Sequence, residues 1–225
     1  MALARYEALC IDAVDPVALG RFWAGVLDRR LVVREDGQVR LDGAGPPGTV
    51  WINAVPEPVT VKQRVHLDVN VHRFEDVLDL GAQPVDLDSF RWKVLRDPEG
   101  GELCVFSESD LPDRQLVELV IDAADPPALA RWWAAVLGGV ARDDAEGRWS
   151  WVEQLPGTPF DHVVVMKVEE PKTVKNRIHL DVRTDRVEAL VEAGARVLRP
   201  QDEEIGWTVL ADPAGNELCA FLSAG

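Results

Sequence analysis

The chain holds a single tyrosine, two methionines, three cysteines and four histidines among its 225 residues, and each scarcity narrows the reading. Cys10, Cys104 and Cys219 are too few and too widely spaced for a disulfide framework, which points to a reducing compartment. Basic residues are outnumbered: 24 Lys and Arg face 39 Asp and Glu, for a net charge of −15. Neither nucleic acid nor an anionic membrane is an expected partner, because both are gathered by basic surfaces. No apolar run approaches the roughly 20 residues that span a bilayer. The N-terminal stretch MALARYEALCIDAVD carries acids where a signal peptide needs an unbroken apolar core, so a cytoplasmic location is expected. Also missing are a glycine-rich nucleotide loop, an acyl-transfer triad signature and a zinc-knuckle spacing.

What the chain does have is apolar residues enough for packed cores, 47% of the total, and an internal repeat. IDAVDPVALGRFWAGVLD (11–28) returns as IDAADPPALARWWAAVLG (121–138). PVTVKQRVHLDV (58–69) returns as PKTVKNRIHLDV (171–182), and WKVLRDPEGGELCVF (92–106) as WTVLADPAGNELCAF (207–221). The offset grows slowly, from 110 at Asp15 and Asp125 to 113 at His66 and His179 and 115 at Glu102 and Glu217, so the second copy carries only small loop insertions. Cut at Leu111 and Pro112, the two parts carry −7 and −8, and neither is an acidic tail. Two domains are expected, residues 1–111 and 112–225.

Each copy divides again. A strand near residues 6–11 leads to Asp15 and Pro16, a helix N-cap and first helical position, followed by Leu19, Phe22, Trp23, Val26 and Leu27 at helical spacing. Strands are expected at 30–34, 38–41 and 50–55. The next round starts with RVHLDV (64–69), continues with a short helix carrying Phe74, Val77 and Leu78 that stops at Gly81, and closes with strands near 84–87, 90–96 and 102–106. The unit is βαβββ, present four times. In RVHLDV the polar Arg64, His66 and Asp68 alternate with Val65, Leu67 and Val69, so one face packs on a core and the other meets something polar. Bulk water does not require the same His and Asp to return as His179 and Asp181 in RIHLDV.

With DP-x-x-L-x-x-F/W-W at the start of each copy, R-V/I-H-L-D-V in its middle and V-L-x-DP-x-G-x-E-L-C at its end, the chain resembles the glyoxalase/bleomycin-resistance/extradiol-dioxygenase (vicinal oxygen chelate) superfamily, in its actinobacterial glyoxalase-like branch. The resemblance implies an α+β fold of four βαβββ modules, forming two tandem domains whose curved mixed sheets each surround a cleft. The superfamily includes metal-dependent isomerases, lyases and dioxygenases, and also metal-free proteins that simply hold a drug, so the fold does not by itself select an activity.

Carried over residue by residue, the resemblance places His66 and Glu102 in the first cleft and His179 and Glu217 in the second. The first-strand ligand slot falls on Ala8 in one copy and Glu118 in the other; the last-strand slot of the first unit falls near Asn53 and Met166. Copy 1 is therefore short of ligands for a catalytic metal. Copy 2 offers Glu118, His179 and Glu217, with His162 joining if the register turns it inward, a set suited to Zn, Mn, Ni or Fe. As an enzyme it would use Glu118 and Glu217 as the carboxylates that move protons. The plain alternative is that each His and Glu satisfy one another as a buried polar pair.

Cys104 and Cys219 read as small buried hydrophobes; Cys10, on the same alternate face as Ala8, is a candidate to join Cys104 and His66 as a soft-metal or nucleophilic group. His72, at a helix start, reads as solvated. Among eight tryptophans, Trp23, Trp132 and Trp133 read as helix-packing residues. Trp51, Trp92 and Trp207 are candidates for stacking a flat ligand that Asp68 and Asp181 would orient. Two functions follow as expectations. One is binding or sequestration of a largely apolar, aromatic small molecule; the other is a metal-dependent lyase or isomerase acting on a small oxygenated metabolite, chiefly in copy 2. Tandem copies would mimic the dimer of single-domain relatives, giving a monomer or homodimer.

Overall fold

The structure is a computed structural model, and it describes residues 2–43, 48–107 and 116–223. Four βαβββ modules follow one another along the chain. The first is β1 (Arg5–Ala13), α1 (Pro16–Val26), β2 (Arg30–Val33), β3 (Val39–Asp42) and β4 (Val50–Ala54). The second is β5 (Val65–Asn70), α2 (Phe74–Asp79), β6 (Gln83–Asp86), β7 (Lys93–Arg96) and β8 (Glu102–Phe106). The third is β9 (Leu116–Ala123), α3 (Pro126–Leu137), β10 (Val140–Asp143), β11 (Trp149–Glu153) and β12 (His162–Lys167). The fourth is β13 (Ile178–Thr184), α4 (Val187–Glu192), β14 (Arg196–Arg199), β15 (Thr208–Ala211) and β16 (Glu217–Leu222). The expected boundary at Leu111 and Pro112 lies outside the described residues. No described helix is long and apolar enough to cross a membrane.

Local chemistry accounts for the helix ends. The Asp15 carboxylate accepts the N–H groups of Val17 and Ala18 at 3.1 and 3.0 Å, and Asp125 accepts that of Ala128 at 3.1 Å. In each case a proline fills the first helical position, where no N–H is needed. Gly138 closes α3 at φ 83°, the left-handed cap that a side chain would strain. The strand expected over 90–96 begins at Lys93, because Phe90 and Trp92 turn off the sheet and stack on one another, 4.9 Å apart and nearly parallel.

The modules form two eight-stranded mixed sheets, and each sheet takes one module from each copy of the repeat. In sheet A the order is β14-β15-β16-β13-β1-β4-β3-β2, which joins modules 1 and 4. In sheet B it is β10-β11-β12-β9-β5-β8-β7-β6, which joins modules 2 and 3. The seams are antiparallel: Cys10 pairs with His179 across β1 and β13, and Asp68 with Glu118 across β5 and β9. The expectation that residues 1–111 and 112–225 each build their own sheet is therefore corrected. A copy of the repeat is a unit of sequence, whereas a cleft needs half of each copy.

Each copy is nonetheless laced across the two sheets. Glu99, in the turn before β8, accepts the N–H groups of Val14 and Asp15 at 2.8 Å each, holding the start of α1 on sheet A. In the second copy Trp133 of α3 donates its indole N–H to Asp212 at 3.3 Å. Asp212 in turn accepts the N–H groups of Ala214 and Asn216, and Asp97 does the same for Glu99 and Gly101. The repeated DPxG sequence is thus a side-chain-capped turn, with Gly100 and Gly215 both at φ 89°. Burial follows the alternation read in the sequence: Val65, Leu67 and Val69 are buried in the core, and His66 and Asp68 point to the opposite face. Trp23, Trp132 and Trp133 are core residues, as expected.

Expressed separately, residues 1–111 and 112–225 would each leave β1 and β5, or β9 and β13, without the strand they pair with. Each part is expected to self-associate or precipitate, and the mixture to form a one-to-one complex, measured by light scattering coupled to size exclusion. A stable monomeric half would contradict the cross-copy pairing.

Candidate functional site

Sheet A curls around a cavity of about 760 Å³. Its floor is laid by the central strands. Cys10 on β1 stands opposite His179 on β13, and Asp181 stands opposite Cys219 on β16, so register alone places two thiols, an imidazole and a carboxylate together. The thiols of Cys10 and Cys219 both lie close enough to Asp181 for its charge to act on each. Ligating atoms of Cys10, His179 and Asp181 lie within 4.8 Å of one another. His179 and Asp181 are over nine-tenths buried, and Nδ1 of the first and Oδ1 of the second make no hydrogen bond.

Burial also sets the charge of this floor. Desolvation pushes the His179 pKa below its ordinary value, against the opposing pull of Asp181, so the imidazole is neutral near pH 7. The same desolvation raises Asp181, and it raises both thiols, which the Asp181 charge pushes up further. Neither cysteine is an activated nucleophile in this state.

The walls are aromatic. Trp51 stands on β4 with the Arg40 guanidinium 5.7 Å from its ring centre. Trp207 leans on Phe221 at 5.4 Å between centroids, and both line the cavity. Ion pairs close the rim. Arg183 grips Glu7 through two bonds of 2.8 and 2.6 Å, and Lys175 pairs with Asp12. Glu217 receives Lys172 at 2.6 Å on one oxygen and the Asn176 N–H at 3.1 Å on the other, so neither oxygen is idle. Sequence reasoning passed over Glu7, Arg183 and Phe221. Strand alternation held the signal for the last two, since Arg183 follows Asp181, and Phe221 follows Cys219, at the two-residue step that keeps a side chain on one face.

Sheet B repeats the plan with different contents. His66, Asp68 and Cys104 form its cluster, with the Cys104 thiol 3.6 Å and the Asp68 carboxylate 3.3 Å from His66 Nε2. Val120 occupies the place of Cys10, opposite His66. Glu118 lies opposite Asp68 and bonds His162 Nδ1 of the adjacent strand β12 at 3.2 Å. Glu102 is half-buried, 3.9 Å from Arg96. Trp92 leans on Phe106 at 5.5 Å, and its other neighbour is Phe90, which covers it as a ligand would.

Three site expectations change. Glu118, His179 and Glu217 do not form one ligand set, because Glu118 belongs to sheet B and the other two to sheet A. Cys10 joins His179 rather than His66 and Cys104, for the same reason. Trp51 and Trp207 share the cavity on sheet A, whereas Trp92 stands in the other cleft under Phe90. A metal held by oxygen and nitrogen ligands, the kind that would polarise vicinal oxygens, therefore lacks its carboxylates here: Glu217 is engaged by Lys172 and Asn176, and Ala8 supplies nothing. The donors that do converge are soft or borderline, a thiol, an imidazole and one carboxylate.

A family model described as a glyoxalase-like domain matches the chain twice, over residues 8–106 and 118–221, and the chain belongs to that family as two tandem copies. Comparison with curated proteins returns no match. Among solved structures, glyoxalase I from Zea mays superposes with a TM-score of 0.65 at 13% identity, over 96% of this chain and 92% of that one. A putative dioxygenase from Bacillus subtilis gives 0.65 at 13%, over 100% and 86%. The cppA protein from Streptococcus pneumoniae gives 0.51 at 12%, over 99% of both chains. Identities this low carry the fold alone.

The Glu118 pair is testable by pH. Its hydrogen bond to Glu118, followed by the Glu118 charge, raises His162 above the ordinary histidine value of 6.5. A raised histidine stabilises the fold fully below the unfolded pKa and loses that contribution as pH climbs through the folded pKa. NMR titration should place His162 above 6.5 in the native protein, and Glu118→Gln should bring it down and flatten the stability change above that pH. An unmoved His162 would show that Glu118 is turned elsewhere.

Proposed function

We propose that the protein binds a largely apolar, flat aromatic small molecule in the sheet A cleft and holds it without transforming it, in the manner of a resistance protein. The observation that carries this reading is the cavity of about 760 Å³ with Trp51, Trp207 and Phe221 on its walls. Such volume and lining suit a drug-sized molecule oriented by a few polar groups. His179 and Asp181, both in the lining of the cavity, supply those groups. The two carboxylates expected to move protons do not serve this cleft together: Glu217 is bound on both oxygens, and Glu118 lies in the other sheet.

The second reading, a metal-dependent lyase or isomerase for a small oxygenated metabolite, is favoured by one observation, the convergence of Cys10, His179 and Asp181. On either reading the partner is a small molecule. One chain completes both sheets, which supports a monomer over a homodimer. Three free cysteines support a cytoplasmic setting.

An indole stacked on an aromatic ligand contributes on the order of 1 kcal/mol beyond area burial. Trp51→Leu or Trp207→Leu keeps apolar volume and removes the stacking face, so affinity for an aromatic ligand should fall about fivefold to tenfold, at 1.4 kcal/mol per factor of ten. Trp92→Leu should leave it unchanged. The measurement is a thermal-shift and tryptophan-fluorescence screen of aromatic natural products against dicarbonyl and hydroxy-acid metabolites, with and without added divalent metal. Stabilisation without turnover supports the binder, and metal-dependent consumption of a metabolite supports the enzyme. Failure of every aromatic compound to bind would refute the first reading.

A further inference from the structure

We propose that the floor of the sheet A cleft is a binding site for a thiophilic divalent cation of the zinc class, held by the Cys10 thiolate, a nitrogen of His179 and the Asp181 carboxylate, with a fourth position open to the cavity. This inference goes beyond the organic-ligand reading and does not depend on it.

Four observations converge. The three ligating atoms lie within 4.8 Å of one another. A tetrahedral shell with metal bonds of roughly 2.0–2.3 Å brings its ligand atoms to about 3.3–3.8 Å, so the set needs to close by only about 1 Å. All three residues are buried, yet His179 Nδ1 and Asp181 Oδ1 have no hydrogen-bond partner. Leaving such groups buried and unpaired is costly, and a bound cation offsets that cost for the atoms it ligates. The donors are one sulfur, one nitrogen and one oxygen, a combination that suits zinc, cobalt or cadmium and disfavours magnesium or calcium. Finally, Cys219 on β16 stands opposite Asp181, on the other side of β13 from Cys10. It acts as a positioning residue, the kind of outer partner that holds a ligating carboxylate in place.

Three protein ligands and an open fourth position describe a site that also presents the ion to whatever enters the cavity. Binding is balanced by one proton: the Cys10 thiol forms its bond to the cation and gives its hydrogen to the buffer. The cluster in sheet B is the natural comparison. His66, Asp68 and Cys104 draw their sulfur from β8, and the position of Cys10 is Val120. His66 is also less buried than His179, with 13% against 9% of its side chain exposed.

The test is titration of the metal-free full-length protein with Co2+ alone. Thiolate ligation produces a sulfur-to-cobalt charge-transfer absorption in the near ultraviolet, and native mass spectrometry counts the ions. The wild type should take up Co2+ with this band, and Zn2+ should displace it. Cys10→Ala and His179→Gln should each remove the cleft A ion and its absorption. Cys219→Ala should weaken binding by about tenfold to a hundredfold, the range for outer partners. Cys104→Ala should retain the band. Circular dichroism of each variant establishes that it is folded; should Cys10→Ala unfold, Cys10→Ser and His179→Gln carry the test. No band in the wild type, or an unchanged band and ion count in folded Cys10 and His179 variants, overturns the proposal. The aromatic-ligand screen is unaffected by either result, so failure of one reading is distinguishable from failure of the other.

Discussion

The architecture depends on two antiparallel seams, β1 against β13 and β5 against β9. Each brings the first strand of one module against the first strand of a module from the other copy. Once those strands pair, every later strand in a module has its place decided, because β4 and β12 then add in parallel to β1 and β9, and β16 and β8 to β13 and β5. The polar faces of the seam strands become the floors of the clefts. Slipping a seam by one residue would turn His179 and Asp181 into the core and Leu180 into the cleft, an outcome that burial of the apolar face forbids.

That constraint makes the two clefts hybrids, and it explains how they differ while the repeat stays regular. Modules 1 and 3 have diverged at the positions that face the floor: Glu7, Ala8 and Cys10 in one correspond to Val117, Glu118 and Val120 in the other. The second-half modules have kept His, Asp and Cys but differ beside them, with Arg183 in place of Asn70, and with Ile205 and Gly206 where Phe90 and Arg91 stand. Sheet A therefore receives the Glu7–Arg183 clamp, an extra thiol and an uncovered Trp207. Sheet B receives the Glu118–His162 pair and a Trp92 already stacked by Phe90. The chemistry of each cleft is the product of two divergences, one from each copy.

Membership of the glyoxalase-like family agrees with this organisation and leaves the chemistry to the site. In the sheet A cleft, the carboxylate that would do proton work is already engaged by Lys172, and the carboxylate that is free sits among thiols. On the readings proposed above, a cavity walled by aromatic rings over such a floor holds its occupant, whether an organic ring system or a soft cation beneath one.

Much of this was legible in the amino-acid order. Composition and the doubled motifs specify four βαβββ modules, since periodicity, N-caps and DPxG turns are local devices that act within a dozen residues. Strand alternation likewise identifies His66, Asp68, His179 and Asp181 as cleft-facing, because successive side chains must take opposite faces whatever lies beyond the strand. Which cleft those residues share with which others was not legible. Cys10 meets His179 across 169 positions of chain, and Glu118 misses it across 61, because partner choice between four similar modules is made by packing and sheet pairing rather than by proximity in sequence. The covering of Trp92 by Phe90 and the engagement of Glu217 by Lys172 were settled in the same way, by contacts between loops and strands that only the tertiary fold brings together.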